Sequence, residues 1–449
     1  MIDAKEIAAA LKQPCMISSR MQTALDRWEH AYRNESEWQK KRVRSLRIPS
    51  AVCKELKRLT TKELQASVND AELDAAVQKF LPVLRRKLDY GLAMGGMLFK
   101  PYWTGQGLQI DLVAQNEYLP LHFTDDICTA VACPETVTIG KTSYTRIEMH
   151  SYDASNRTHT IENRCFQSNS PDFLGKECSL SEVPAWSALL ASKVYPNVPR
   201  PLFAVFRMPD SNSVDPDSPL GISAFADSLD DIRDADCHWE RILWELESSE
   251  RAIDATEDMF RLKDGKPVLP KGRERMFRTF NHNPNGSGSS GIFETVSPEI
   301  RDTSYFNALN EMLRRVENGC GLSYGTLSRV DTVEKTAEEV LSSKQRSYDR
   351  VNDIQNALGT TLRDTVTVLG YFRDYYENRQ SSNVELTLTF GDGVLEDADK
   401  EFARRMQMVT AGLLSKEQFN MWYFSCDEKK AREYLPQTEG LFPDGNPVI

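Results

Sequence analysis

Residues 220–259, LGISAFADSLDDIRDADCHWERILWELESSERAIDATEDM, constrain the chain more than any other stretch. They hold no proline, and Gly221 is their only glycine. Apolar residues fall at Ile222, Phe225, Leu229, Ile232, Ala235, Trp239, Ile242, Leu243, Leu246 and Ile253, mostly three or four apart. That spacing lays one stripe along a helix. Helical throughout, the segment is roughly 60 Å long at about 1.5 Å per residue, well beyond the usual ~11 residues. Its polar side is acidic: Asp227, Asp230, Asp231, Asp234, Asp236, Glu240, Glu245, Glu247 and Glu250 face only Arg233, Arg241 and Arg251. Two readings accommodate such a rod. It is a long core helix of a helical protein, or it stands beside copies of itself.

The chain has 449 residues, 40% of them hydrophobic, enough for two to four domains with a sizeable core. No apolar run approaches the ~18 residues of a membrane span. The N-terminal MIDAKEIAAALKQ is charged and lacks the apolar centre of a signal peptide. Nine cysteines are scattered without a CxxC pair, so reduced thiols in a cytoplasmic setting are expected, not a disulfide framework or a zinc site. The formal net charge is −11, a poor basis for gripping DNA, because non-specific affinity comes from Lys and Arg neutralising phosphates. Passage of DNA without adhesion remains compatible with it.

Residues 1–219 read as a mixed α/β domain. Met21, Leu25, Trp28 and Tyr32 mark a helix over 16–33. A second is expected over 50–60 with Ser50 as cap, and a third over 70–90, kinked or interrupted at Pro82. From Gly91 the pattern alternates. MLFKPYW, the GQG turn at 105–107 and LQIDLVAQ predict a hairpin, and strands follow at 136–139, 145–152 and 159–166. Residues 167–201 read as loop, 201–209 as a short buried strand, and 211–221 as a run of turns.

Residues 260–300 read as a small α/β insert. Between 261 and 278 seven Lys or Arg stand against Asp264 and Glu274, and Asp264-Gly265 predicts a hairpin turn. This basic knob is either a solubilising surface or a docking tip for an acidic partner or DNA phosphate. Its candidates are Lys263, Lys266, Lys271, Arg273, Arg275 and Arg278. A helix follows over 303–318, with a stripe of Phe306, Leu309, Leu313 and Val316 on one face. The linker NGCGLSYGTLSRVD (318–331), with three glycines, is an interhelical turn or a mobile functional loop. A second very long helix is expected over 335–380, opened by a Thr336-x-x-Glu339 capping box and striped by Val340, Ser347, Val351, Ile354, Leu358, Leu362, Val366, Leu369, Phe372 and Tyr376. A strand at 384–390 and three short helices complete the chain.

Motifs for catalysis are missing. There is no GxxxxGK[ST], HExxH or GxSxG, and the glycine-rich NGSGSSG lacks the lysine of a phosphate loop. Cys237-His238 reads as a packing cysteine beside a surface imidazole. Asp230, Asp231 and Asp234 have the chemistry to hold a divalent cation, but on so acidic a helix they read more simply as a solvated face. No cofactor is implied.

Four collinear segments carry a resemblance: AVCKELKRLTTKE (51–63), YGLAMGGMLFKPYWTGQGLQIDLVAQNEYLPL (90–121), PRPLFAVFRMPDSNSVDPDSPLGISAFADSLDDI (199–232) and KTAEEVLSSKQRSYDRVNDIQNAL (335–358). In these the chain resembles the portal proteins of tailed double-stranded DNA bacteriophages. The stretches 122–198 and 397–449 contribute little to it. The resemblance implies a predominantly helical α+β portal fold. Its wing would be 1–219 with 336–395, its stem helices 220–259 and 301–318, its clip 260–300, its tunnel loop 319–335 and its helical crown 396–449. It implies a homo-oligomer, a dodecameric ring at one capsid vertex, assembled in the host cytoplasm and without a membrane partner. Double-stranded DNA would pass non-specifically through the channel. The terminase large subunit, which hydrolyses the ATP, the major capsid or scaffolding protein, and a head-tail adaptor would be the protein partners.

On that reading Ser328, Arg329, Asp331 and Thr332 of the loop, with Asp230, Asp231 and Asp234 of the stem, face DNA, and the basic insert docks partners. Two other classes stay open: a metal-dependent nuclease using the carboxylate cluster, and a helical scaffold or adaptor unrelated to DNA.

Overall fold

A computed structural model describes residues 2, 4–39, 43–105, 107–249, 252–256, 262–263, 266–267, 277–280, 293–296, 301–329, 337–380, 383–391, 398–424 and 428–434. The chain forms two units, Met1–Phe390 and Gly391–Ile449.

The first unit opens with helices α1 (Ala4–Leu11), α2 (Ser19–Arg33) and α3 (Ile48–Thr61), strand β1 (Gln65–Val68) and helix α4 (Ala71–Met94). Ser18 caps α2 by accepting the Met21 amide, and Asn34 closes it in the left-handed conformation. α3 begins earlier than expected. Pro49 sits in its first turn, where a missing N–H costs nothing, and Ser50 is inside the helix with its hydroxyl donating to the Arg47 carbonyl. α4 runs unbroken through Pro82. Leu73, Val77, Leu81, Leu84, Leu88 and Leu92 are buried along one face, and that packing outweighs the ~3 kcal/mol an internal proline costs.

Strands β2 (Gly96–Thr104) and β3 (Gly107–Ala114) form the expected hairpin, with Thr104 opposite Gly107. Next come β4 (Leu119–Thr124), β5 (Ile127–Ile139), β6 (Thr142–Asp153) and β7 (Thr158–Ser168), an antiparallel meander longer than the expected strands. The stretch expected to be loop holds two short strands, β8 (Lys176–Cys178) and β9 (Ser192–Tyr195), both paired with β7. β10 (Ala204–Arg207) pairs with β2 to give the order β10-β2-β3.

The acidic helix, α5, spans Leu229–Ser248, not 220–259. At its front, residues 220–225 are bonded elsewhere. Ala224 N–H donates to Leu92 O, and Gln115 Nε2 donates to both Met94 O and Gly221 O. Gly95, at φ +84°, lies against Gly221 so closely that a Cβ on either would strike the other's carbonyl oxygen, at 2.5 and 2.1 Å. At its rear, Ala252–Thr256 is strand β11, the middle of a three-stranded sheet. The long-range pairing takes those amides from the helix. The insert therefore begins before residue 260. It contains β12 (Leu262–Lys263) and β13 (Lys266–Pro267), a hairpin with Lys263 opposite Lys266. β14 (Phe277–Phe280) and β15 (Phe293–Val296) flank β11.

Helix α6 (Asp302–Gly319) and the 40-residue α7 (Ala337–Tyr376) follow, then β16 (Leu386–Thr389), which pairs with β1. The expected capping box at Thr336 lies outside the described residues. One continuous core joins α2, α3, α4, the sheet β10-β2-β3, α5 from Leu229 to Ile242, α6 from Leu309 to Val316, and α7. Asp70 links two of these elements. It caps α4 through the Glu72 and Leu73 amides and pairs with Arg373 of α7 at 2.5 Å. A separate cluster packs α1 on the meander through Ile7, Leu11, Leu121, Ile147 and Phe166. The second unit holds three short helices, α8 (Ala398–Thr410), α9 (Lys416–Tyr423) and α10 (Glu428–Glu433), as expected. No described helix is long and apolar enough to cross a membrane.

Candidate nucleic-acid interface

α5 and α6 lie antiparallel. Asp231 reaches Arg315 at 3.3 Å, His238 Nε2 meets the Tyr305 carbonyl at 2.9 Å, and Glu245 pairs with Arg301 at 3.1 Å. The Arg301 guanidinium holds the Glu245 carboxyl below the usual carboxylate range. His238 is therefore buried against α6 rather than being a surface imidazole, and it is Cys237 that is half-exposed.

The acidic side of α5 is divided. Asp230 and Asp234 are exposed, with Arg233 between them at 3.0 and 3.1 Å, while Asp231 turns to α6. The three carboxylates do not converge, as a metal-binding cluster would need. Among the described residues no three His, Cys, Asp or Glu side chains gather to hold a metal ion.

Asp236 is not on the solvated face. Its side chain is fully buried and accepts hydrogen bonds from Trp38 Nε1 (3.0 Å), Gln39 Nε2 (3.4 Å) and the Leu46 amide (2.8 Å). It ties the chain between α2 and α3 onto α5. Nothing in the sequence separates Asp236 from its eight acidic neighbours; only the loop that packs on it does. At the far end of the pair three large apolar side chains are exposed among the described residues: Trp244, Leu246 and Phe306, at 66%, 43% and 39%.

The first half of the glycine-bearing linker is folded back on α6. Leu322 N–H donates to the Glu317 carbonyl, and Gly321 and Gly325 take positive φ of +64° and +88°. Ser328 is 7% exposed, its hydroxyl donating to Glu317 Oε2 at 2.8 Å, so it does not face outward in the subunit. Arg329 is exposed, and its guanidinium has no partner among the described residues. Asp331 and Thr332 lie outside the described residues. Glu317 is a residue the sequence reading missed. It sits beside Val316 of the stripe, and no spacing marks a charge there as buried.

In the insert, Lys263 and Lys266 are register partners. Arg278 is in register with Asp254. Lys271, Arg273 and Arg275 lie outside the described residues.

The α5–α6 pair thus carries exposed carboxylates along one side, has the small sheet of the insert between its two helices in sequence, and is followed by a linker folded back on α6. Residues 137–439 match the family described as Phage portal protein, SPP1 Gp6-like. The chain belongs to that family and is a bacteriophage portal protein, a structural, oligomeric component of the capsid where head meets tail and DNA is packaged. The match runs through 137–198 and 397–439, where the segment resemblance was weak. No curated protein sequence matches the chain.

Proposed function

We propose that this portal protein assembles into a dodecameric ring whose α5–α6 pairs, the stem, surround a channel for double-stranded DNA. The terminase large subunit drives DNA inward through it, and a head-tail adaptor closes it afterwards. The observation that carries this reading is the α5–α6 pair. It turns Asp230 and Asp234 outward while leaving three large apolar side chains uncovered at its distal end. Carboxylates toward the lumen repel phosphate, so the duplex slides; each cation added there would neutralise phosphate and add friction.

The insert, now counted from Ala252, is the clip that meets terminase and adaptor. Residues 319–335 form the tunnel loop, with Arg329 as its guiding cation. Residues 1–219 with α7 and β16 form the wing. The helices of the second unit form the crown, on the capsid side, next to the major capsid or scaffolding protein. Assembly takes place in the host cytoplasm and the product is part of the virion.

Negative-stain images of the purified protein test the ring. Particles with a central hole are expected, and only closed compact particles under every assembly condition would overturn it. Reversing the outward-facing Asp230 and Asp234 to lysine tests the lumen. Packaged DNA should fall while ring formation persists, and unchanged packaging removes the stem assignment.

A further inference from the structure

The Glu317 carboxylate is 2% exposed and takes four hydrogen bonds, all from the linker that follows its own helix. Oε1 accepts the amides of Leu327 (2.5 Å) and Ser328 (2.8 Å); Oε2 accepts the Ser328 hydroxyl (2.8 Å) and the Gly325 amide (3.3 Å). Hydrogen bonds to a charged acceptor are roughly twice as strong as neutral ones, and here four converge on one group. The next residue is Arg329, whose backbone is held on both sides. Its N–H donates to Asn310 Oδ1 at 2.7 Å, and its carbonyl accepts from the Tyr324 hydroxyl at 3.1 Å. Tyr324 is itself fixed, because the Arg314 guanidinium lies 4.7 Å from its ring centre and also bonds its hydroxyl. Every one of these anchors stands on α6 or within the linker.

We propose that Glu317 is the positioning residue of the linker: its buried carboxylate, with Asn310 and Tyr324, mounts Arg329 rigidly on α6 as the cation offered to passing phosphate. This rests on the reading of 319–335 as the DNA-facing loop. The physics favours a mount over a tether. A side chain carried on a floppy loop loses backbone freedom at each encounter, whereas a preorganised backbone leaves only the side chain to order. In a ring the same mount recurs in every subunit at one height, so the guiding cations form a level collar instead of a loose fringe. Movement of α6 then carries Arg329 with it, while α7 need not move. The glycines serve the clamp: Gly325, in the left-handed region, turns its amide and those of 327 and 328 onto one carboxylate.

The test uses the full chain complementing a phage that lacks its portal protein, with amide exchange on the purified rings. Glu317→Ala should speed exchange at Leu327 and Ser328 by roughly ten- to a hundredfold, the equivalent of a charge-assisted hydrogen bond. It should speed tryptic cleavage after Arg329 and lower the yield of DNA-filled particles, with rings still forming. Glu317→Gln keeps an oxygen for two amides but loses the acceptor for Ser328 and Gly325, so it should fall between Glu317→Ala and the parent on both readouts. A merely structural loss would not follow that order in packaging.

Arg329→Ala separates the two levels of the argument. If it lowers packaging and Glu317→Ala does not, the mount is overturned and the loop reading stands. If Arg329→Ala leaves packaging unchanged, the loop reading itself is overturned. Unchanged exchange in Glu317→Ala overturns the clamp directly. Should Glu317→Ala fail to form rings, Asn310→Ala carries the test from a half-exposed position, with faster cleavage and lower packaging expected and parent-like values of both overturning it.

Discussion

Helices α5 and α7 are written in similar material, an apolar stripe on a charged rod, yet they end in opposite conditions. In α7, Val351, Ile354, Leu358, Leu362, Val366 and Leu369 are all at most 2% exposed, covered by α3, α4 and the sheet β10-β2-β3. In α5 the stripe is buried at Leu229, Ile232, Ala235 and Ile242 and then surfaces at Leu246, while Trp244, beside the stripe, is also in the open. Among the described residues, that α7 stripe is covered by its own chain. The exposed side chains at the outer end of α5 are not so covered. On the proposed ring, the exposed apolar side chains at the outer end of α5 are where the neighbouring subunit is expected.

The sharpest way to break this contrast is to weaken each helix and measure the isolated subunit. Leu358→Ala removes a fully buried side chain from α7 and should cost about 2–5 kcal/mol, read from denaturant unfolding. A cost under about 1 kcal/mol would mean that α7 is not the core element described above. Asp236→Ala comes next. It leaves the Trp38 indole N–H and the Leu46 amide without their acceptor, at about 1–3 kcal/mol by the same measurement. That variant also separates the buried side of α5 from its exposed side, because Asp230→Ala, on the exposed side, should stay within ~0.5 kcal/mol.

A third prediction concerns the sheet beside the core. His150 and His159 are both buried, 3.1 Å apart through Nδ1 and Nε2, and His150 Nε2 lies 2.8 Å from Glu148. Lys100 of β2 and Arg146 of β6 also reach Glu148, both at 2.9 Å. The Leu202 amide donates to His159 Nδ1, so His159 presents Nε2–H to His150, which in turn donates to the carboxylate. Burial and the neighbouring His150 hold His159 well below the usual imidazole range. Burial acts to raise Glu148, but the His150 hydrogen bond and the Lys100 and Arg146 charges hold it well below the carboxylate range.

Both signs point the same way. With its folded pKa depressed below 6.5, His159 binds its proton more readily when unfolded, so stability falls as pH drops through 6.5. Glu148 adds a second loss below 4.5, as pH falls toward its depressed folded value. Stability should decline by at most about 1.4 kcal/mol per pH unit over the first window. His159→Gln should flatten that slope; an unchanged slope removes His159 as its cause.

The α7 stripe was legible in the sequence because each of its turns meets a partner that is itself apolar and periodic. The ends of α5 were not. Residues 220–225 and 252–256 have helical spacing, but their backbone groups bond to Leu92, Gln115 and the strands at 277 and 293, and no local pattern announces those partners. Side-chain roles failed for the same reason. Asp236 and Asp230 are alike as letters, and burial came from the loop carrying Trp38 and Leu46. His238 was misplaced because α6 covers a second side of α5. Of the residues proposed for the channel, Arg329 stood out as a cation in a glycine-bearing linker, whereas Glu317, which holds that linker, looked like any surface glutamate beside a stripe.

The smallest effect on the subunit decides the most about the assembly. Trp244→Ser with Phe306→Ser replaces side chains that are 66% and 39% exposed, so little burial is lost within the chain and unfolding of the isolated subunit should shift by less than about 1 kcal/mol. The same pair should lower the fraction of rings at a fixed protein concentration, measured by mass photometry. A Trp and a Phe closed over by a neighbour lose on the order of 1.5–3 kcal/mol of burial each when truncated, and the loss recurs at every subunit boundary. If the double variant instead destabilises the subunit as much as Leu358→Ala, the outer half of α5 is covered from within and the contrast with α7 fails. If the subunit is untouched and rings form as before, the copies meet along another face, and the exposed end of the stripe is open to the clip's partners.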